Sequence, residues 1–166
     1  STTIFLQASR SQKLVAERVA ALDTVSFVLE QMAREIRTGS RFAFDTSGSY
    51  ACSQPAVSCW SGIRFINYRG AAVSYRLGVS SEDTSVGSRY IERSEGDGTP
   101  LRLTPRNVRI ERFDILEYRD GRYPRALPRF TISLTATGPF TEPLELQTTV
   151  SPRIFYYQWI NTPVLP

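Results

Sequence analysis

Apolar residues recur in steps of three and four at Val15, Val19, Leu22, Val25, Leu29, Met32 and Ile36. That is the spacing of one face of an α-helix. Glu17, Arg18, Asp23, Glu30, Arg34, Glu35 and Arg37 fill the positions between them, as a solvated opposite face requires. No Gly or Pro breaks the run before Gly39, and Gly is the residue expected just past a helix end. The pattern predicts one long helix from Ser1 to about Phe42, with Glu30 and Arg34 in the favourable acid-first order. Such a helix runs on the order of 60 Å, against a radius of gyration of roughly 15 Å for a domain of this size. It must overhang the fold or lie across its whole width. Val19, Leu22, Val25, Leu29, Met32 and Ile36 are expected to pack on the chain's own sheet.

The front of the helix has a different character. Ile4, Phe5, Leu6 and Ala8 cluster without charge, and the first basic residue is Arg10. A membrane-spanning helix needs about 20 consecutive apolar residues, so this cluster spans nothing by itself. It reads either as a frayed amphipathic end or as the tail of a hydrophobic segment that lies upstream.

From Gly62 the period changes to two. Ile63, Phe65 and Asn67 alternate with Arg64, Ile66 and Tyr68, then Val73, Tyr75 and Leu77 with Ser74 and Arg76. These predict a hairpin turning at Arg69-Gly70. Val79 to Ser88 reads as a loop, Arg89 to Arg93 as a short strand, and Ser94 to Pro100 as a turn-rich connection. In Val108 to Tyr118 the alternation switches face near the middle, which predicts a bulge or a strand covered on both sides at one end. Asp120-Gly121 and Gly138-Pro139 are turns. Strands follow at Phe130 to Thr135 and Leu144 to Thr149, and Ile154 to Trp159 reads as an irregular or edge-like aromatic tail. One long helix (1–42) and five to seven antiparallel strands (43–166) in one domain predict an α+β fold, the helix packed on an antiparallel sheet.

Composition narrows the function. A chain of 166 residues with 41% hydrophobic and 22% charged residues suits one domain with a real core rather than a disordered segment. The net charge of +4 is dispersed, which argues against a dedicated nucleic-acid patch. There is no His, so a Ser–His–Asp or Cys–His site cannot be built and the commonest general base is missing. Cys52 and Cys59 lie in a Ser/Gly/Pro-rich loop. A local disulfide there favours an extracytoplasmic compartment, whereas two free thiols fit the cytosol; zinc would have to recruit carboxylates. Glu82, Asp83, Glu95 and Asp97 lack EF-hand spacing, and Glu111 with Asp114 reads as solvated surface rather than a glycosidase dyad. Gly96-Asp97-Gly98 matches no phosphate loop. Neither catalysis nor a cofactor is expected. Tyr68, Tyr75, Tyr90 and Tyr118 with Arg64, Arg69 and Arg76 offer a stacking face for single-stranded nucleic acid, or simply ordinary cross-strand pairs.

The layout, a long N-terminal helix with a hydrophobic stub and then antiparallel strands, resembles the type IV pilin and pseudopilin superfamily. Three stretches carry the likeness: the helix end Leu29-Glu30-Gln31-Met32-Ala33-Arg34-Glu35-Ile36-Arg37-Thr38-Gly39, the strand entry from Thr104-Pro105-Arg106-Asn107 to Phe113, and the closing strand Leu146-Gln147-Thr148-Thr149-Val150-Ser151-Pro152-Arg153. Within the superfamily it is most similar to minor components, the J-type pseudopilin of type II secretion and the W-type minor pilin. The peptidase cleavage site, the hydrophobic segment after it and its early Glu are not in this sequence. The resemblance implies a cell-envelope protein, anchored in the inner membrane through an upstream segment and then assembled into a filament. Ile4, Phe5, Leu6 and Leu14 would face neighbouring subunits. The position would be a priming or tip subunit of a pilus or secretion pseudopilus. The alternative is a surface module of the same fold that captures DNA or another extracellular ligand.

Overall fold

The computed structural model describes residues 2–45, 59–80, 89–118, 128–139 and 142–153, with backbone only for 2–6, Ala8 and Cys59. Helix α1 spans Thr2–Thr38 and is roughly 55 Å long. Among the described residues nine strands follow: β1 Ser40–Asp45, β2 Cys59–Trp60, β3 Gly62–Ile66, β4 Ala72–Val79, β5 Arg89–Glu95, β6 Leu101–Arg102, β7 Arg109–Tyr118, β8 Arg129–Thr137 and β9 Leu144–Val150. They form two antiparallel sheets, ordered β1-β3-β4-β5-β6 and β2-β7-β8-β9.

This corrects the expected α+β fold with its helix on one sheet. Strand residues outnumber helical ones and divide between two sheets, so the fold is mostly β with one helix. Two places in the chain make the division. Between β2 and β3 only Ser61 intervenes, yet β2 pairs with β7 and β3 with β1 and β4. After β6, the Thr104-Pro105-Arg106-Asn107 stretch folds back on itself through the Val108 N–H bond to the Pro105 carbonyl at 3.1 Å. Pro105 has no N–H to extend a ladder, so pairing with the first sheet ends there and β7 starts the second.

The helix ends four residues earlier than expected, and Arg41 and Phe42 belong to β1. Gly39 sits at the junction for lack of space. A Cβ there would lie 2.5 Å from the Phe65 ring. Arg41 takes a positive φ of 53° where the β1–β3 register slips between Ser40 and Ala43, a bulge that re-aims the strand. Phe42 then meets the rings of Phe65 and Phe130 at 5.6 and 4.8 Å. One aromatic side chain thus joins both sheets.

One core cluster unites the three layers. The first sheet contributes Ile63, Phe65, Val73, Tyr75 and Ile91; the second contributes Phe113, Ile115, Phe130, Ile132 and Leu134 among others; the helix contributes Ala21, Val25, Val28, Leu29, Met32, Ala33 and Ile36. The β7–β8 register slips between Ile110 and Arg112, which brings Ile110, Phe113 and Ile115 all to the core. That bulge is the switch of alternation visible in the sequence. The 81–88 loop, the Asp120-Gly121 turn, the Ile154 to Trp159 tail and the pairing of Cys52 with Cys59 fall outside the described residues.

Candidate functional site: the free half of the helix

Two adjacent lines of residues run along α1 at heptad-like spacing. One is Leu14, Arg18, Ala21, Val25, Val28 and Met32; the other is Val15, Val19, Leu22, Ser26, Leu29, Ala33 and Ile36. From Val25 onward, every apolar residue on these lines is buried. Before Ala21, the described side chains are all exposed except Arg18. Val19 is 51% and Leu22 is 36% exposed, which corrects their expected packing on a sheet. Val25, Leu29, Met32 and Ile36 do lie in the core. The apolar face that seals the domain therefore continues past it, bare.

Leu14, Val15, Val19 and Leu22 are the exposed large apolar residues of that face. Ile4, Phe5 and Leu6 lie further along the same helix, their side chains outside the described residues. Phe27 is also exposed, but at five positions past Leu22 it falls on a different side of the helix. Arg18 sits inside the apolar strip without a carboxylate partner among the described contacts, and its Nε donates to the Pro139 carbonyl at 2.7 Å. That bond ties the helix to the start of the β8–β9 connection. Gly138, one residue before, has φ +134°, and a Cβ there would lie 2.2 Å from the Asn107 carbonyl oxygen. Only Gly fits that corner.

The packed half is held to the first sheet by charge as well. Arg93 donates to Glu35 at 3.2 Å and to Glu95 at 2.8 Å. Burial by itself lowers the Arg93 pKa, but the hydrogen bonds to Glu95 and Glu35 outweigh it and the net shift is upward. Burial, reinforced by the Glu35 carboxylate, raises the phenol of Tyr75, which keeps it un-ionised. The bond from Arg93 holds the Glu95 carboxyl below its usual range.

Other candidate groups are not brought together. Tyr75 points into the core, whereas Tyr68 is exposed with the Arg69 guanidinium 5.2 Å from its ring. Tyr90 is stacked under Arg102 at 4.6 Å, and Tyr118 lies in the second sheet. The set forms no common stacking face. Asp114 is buried and ion-paired with Arg112, while Glu111 accepts from Thr137 at 3.0 Å, so these carboxylates are occupied separately. Among the described residues no three or more His, Cys, Asp or Glu gather to hold a metal. No described helix is long and apolar enough to cross a membrane.

A strip of this kind can pack against another amphipathic helix, each apolar residue seating between residues of its partner. The sequence signal for it was the unbroken three-and-four spacing; where the core stops beneath the helix left no mark in that spacing. No protein-family model, curated protein or solved structure matches the chain.

Proposed function

We propose that this chain is a non-catalytic filament subunit, a minor pilin or minor pseudopilin, which assembles through the free half of α1 with the helices of neighbouring subunits. The observation that carries the reading is the apolar strip Leu14, Val15, Val19 and Leu22, left bare on a helix that buries the same face from Val25 onward. A helix that served its own domain alone would need only the portion from Ala21 onward. The three stretches that resemble minor pilins add to this. They form the buried helix end, the entry to β7, and β9 with the backbone bond from Arg153 N–H to the Arg37 carbonyl at 2.8 Å. In this reading the protein resides in the cell envelope, with an upstream segment anchoring it in the inner membrane before assembly. The filament is a pilus or a type II secretion pseudopilus, and the subunit primes it or caps its tip.

The test pairs folding with assembly. Val15→Asp/Val19→Asp should leave the isolated domain folded, by thermal melting and circular dichroism, while abolishing its incorporation into filaments in the envelope. Normal incorporation of that folded double variant would overturn the reading. Intact-mass analysis of the native protein extracted from membranes gives a second check. A chain that begins upstream with a methylated N-terminal residue agrees with the proposal, and one beginning at Ser1 disagrees.

A further inference from the structure

Among the described residues the two sheets end in four edge strands, β1 and β6 of the first and β2 and β9 of the second. An open edge presents unpaired N–H and C=O groups, and folds guard against stray pairing by keeping edges short, bulged or charged. Strands β2 and β6 are two residues each. Strand β1 carries the Arg41 bulge, with its positive φ and its slipped register. Strand β9 has none of these devices. Its seven residues, Leu144–Val150, hold an unbroken register with β8, include no Pro or Gly, and carry one charge, Glu145. A groove of about 460 Å³ runs between this edge and the flank of α1. On the strand side it is lined by Leu146, Gln147 and Thr148. Consecutive strand residues point to opposite faces, so what these three share is the main chain at the open edge. Glu30, Arg34 and Arg37 make the opposite wall polar, which suits a main-chain ladder.

We propose that β9 pairs with β9 of a second copy of the chain, antiparallel about a two-fold axis that passes through Gln147 perpendicular to the sheet. The register follows from the strand itself. Such an axis keeps each core-facing side chain opposite a core-facing one, and centring on Gln147, the middle of the strand, engages its whole length. Gln147 then meets its own copy, Leu146 meets Thr148, Glu145 meets Thr149 and Leu144 meets Val150. No like charges oppose each other, as a self-pairing edge requires. The helix obeys the same axis. Arg18 is bonded to the Pro139 carbonyl before β9, and the Arg37 carbonyl to the Arg153 N–H after it, so α1 runs alongside β9 in the same direction. The two-fold therefore sets the two helices antiparallel, groove flank to groove flank. Each flank bears one acid and one base, Glu30 and Arg34, paired at 2.7 Å and both exposed. Antiparallel helices bring Glu30 of one copy towards Arg34 of the other, so the same charges can re-pair across the axis. The contact uses β9 and the packed half of α1, and leaves untouched the free half on which the filament reading rests.

Sedimentation of the chain over a range of concentrations should show monomer and dimer in exchange. Val15→Asp/Val19→Asp should dimerise equally well, which separates this contact from one made by the free half of the helix. Gln147 is exposed, and Gln147→Lys sets two lysines face to face at the axis. It should weaken the dimer several-fold while leaving the thermal transition of the monomer in place. Thr149 gives up only an exposed hydroxyl bond to Thr131 at 3.1 Å. Thr149→Lys places a cation opposite Glu145 twice in each dimer and should tighten it several-fold. Thr149→Glu should loosen it by a similar factor, and added salt should shrink both effects. These opposite responses keep the test decisive should Gln147→Lys lose its fold. A chain that stays monomeric at every concentration would overturn the proposal. So would a dimer that Val15→Asp/Val19→Asp abolishes, or one that is indifferent to charge at 147 and 149, since either result puts the contact elsewhere.

Discussion

The two halves of α1 share a helix, a heptad-like spacing and similar apolar residues, yet they have opposite surroundings. Between Ala21 and Ile36 the helix buries Val25, Val28, Leu29 and Met32 among two sheets. Each such side chain contributes roughly 1.5–3 kcal/mol by burial. Between Gln7 and Ala20, Leu14, Val15 and Val19 stay in water and contribute almost nothing to the domain. Regular amphipathic spacing thus predicts a helix and a face, but not what covers the face. The stripe that outruns its own core is the feature on which the proposed assembly rests.

The comparison breaks first, and most widely, at Leu29. Leu29→Asp replaces a buried apolar side chain between α1 and the sheets with a carboxylate that must be desolvated. Loss of about 3 kcal/mol or more is expected, enough to unfold a marginal domain, visible as a collapse of the thermal transition. Gly39→Ala acts at the junction where α1 hands over to β1. Its Cβ would stand 2.5 Å from the Phe65 ring, so overpacking of about 1–3 kcal/mol is expected, measured by urea unfolding. Arg18→Ala comes next. It removes the 2.7 Å bond to the Pro139 carbonyl, at the border of the two halves, and should cost about 1 kcal/mol. Val19→Asp, one residue further on the same helix, should change stability by less than about 0.5 kcal/mol. A Val19→Asp variant as unstable as Leu29→Asp would erase the distinction between the halves.

How much of this was legible follows from what each signal encodes. The helix was legible because no Gly or Pro interrupts it before Gly39, and most strands because Ile63/Phe65, Val73/Tyr75 and Phe130/Ile132/Leu134 alternate strictly. The β7 bulge showed as a break in alternation. The two-sheet arrangement was not legible, since β2 and β3 differ in partner across the single residue Ser61, and period-two alternation carries no partner identity. The first half of β1, Ser40 to Phe42, reads as helix because Arg41 and Phe42 continue the pattern without an obvious stop beyond Gly39. Val19 and Leu22 read as core because they share a line with Leu29. How far the sheets reach along the helix is a tertiary fact. The Tyr and Arg set was dispersed for the same reason: alternation places Tyr75 inward and Tyr90 outward, and Tyr118 went to the other sheet.

The smallest expected effect sharpens the contrast by pH. The packed half is linked through Glu35 to Arg93 and on to Glu95, whose carboxyl is held below its ordinary pKa chiefly by the hydrogen bond from Arg93. The free half has no comparable ion-pair chain among its described contacts. A carboxyl whose folded pKa lies below its unfolded one contributes stability that is fully present above the unfolded value, near pH 4. That contribution disappears as pH falls through the lower, folded value. The domain should therefore lose a small increment of stability on acidification below the ordinary carboxylate range, an increment absent in Glu95→Gln. Because Glu95 is exposed, raising the salt should shrink it further. Amide hydrogen exchange followed across the same titration locates the effect. Relative to the intrinsic rate at each pH, acid should lower protection in the last turns of α1, around Glu35, and in β5. In the turns before Ala20 the pH dependence of exchange should follow the chemistry of exchange alone, in Glu95→Gln as in the unaltered chain. A Glu95-dependent acid response in that front segment would mean the two halves are coupled, and the division drawn at Ala21 would have to move toward the N-terminus.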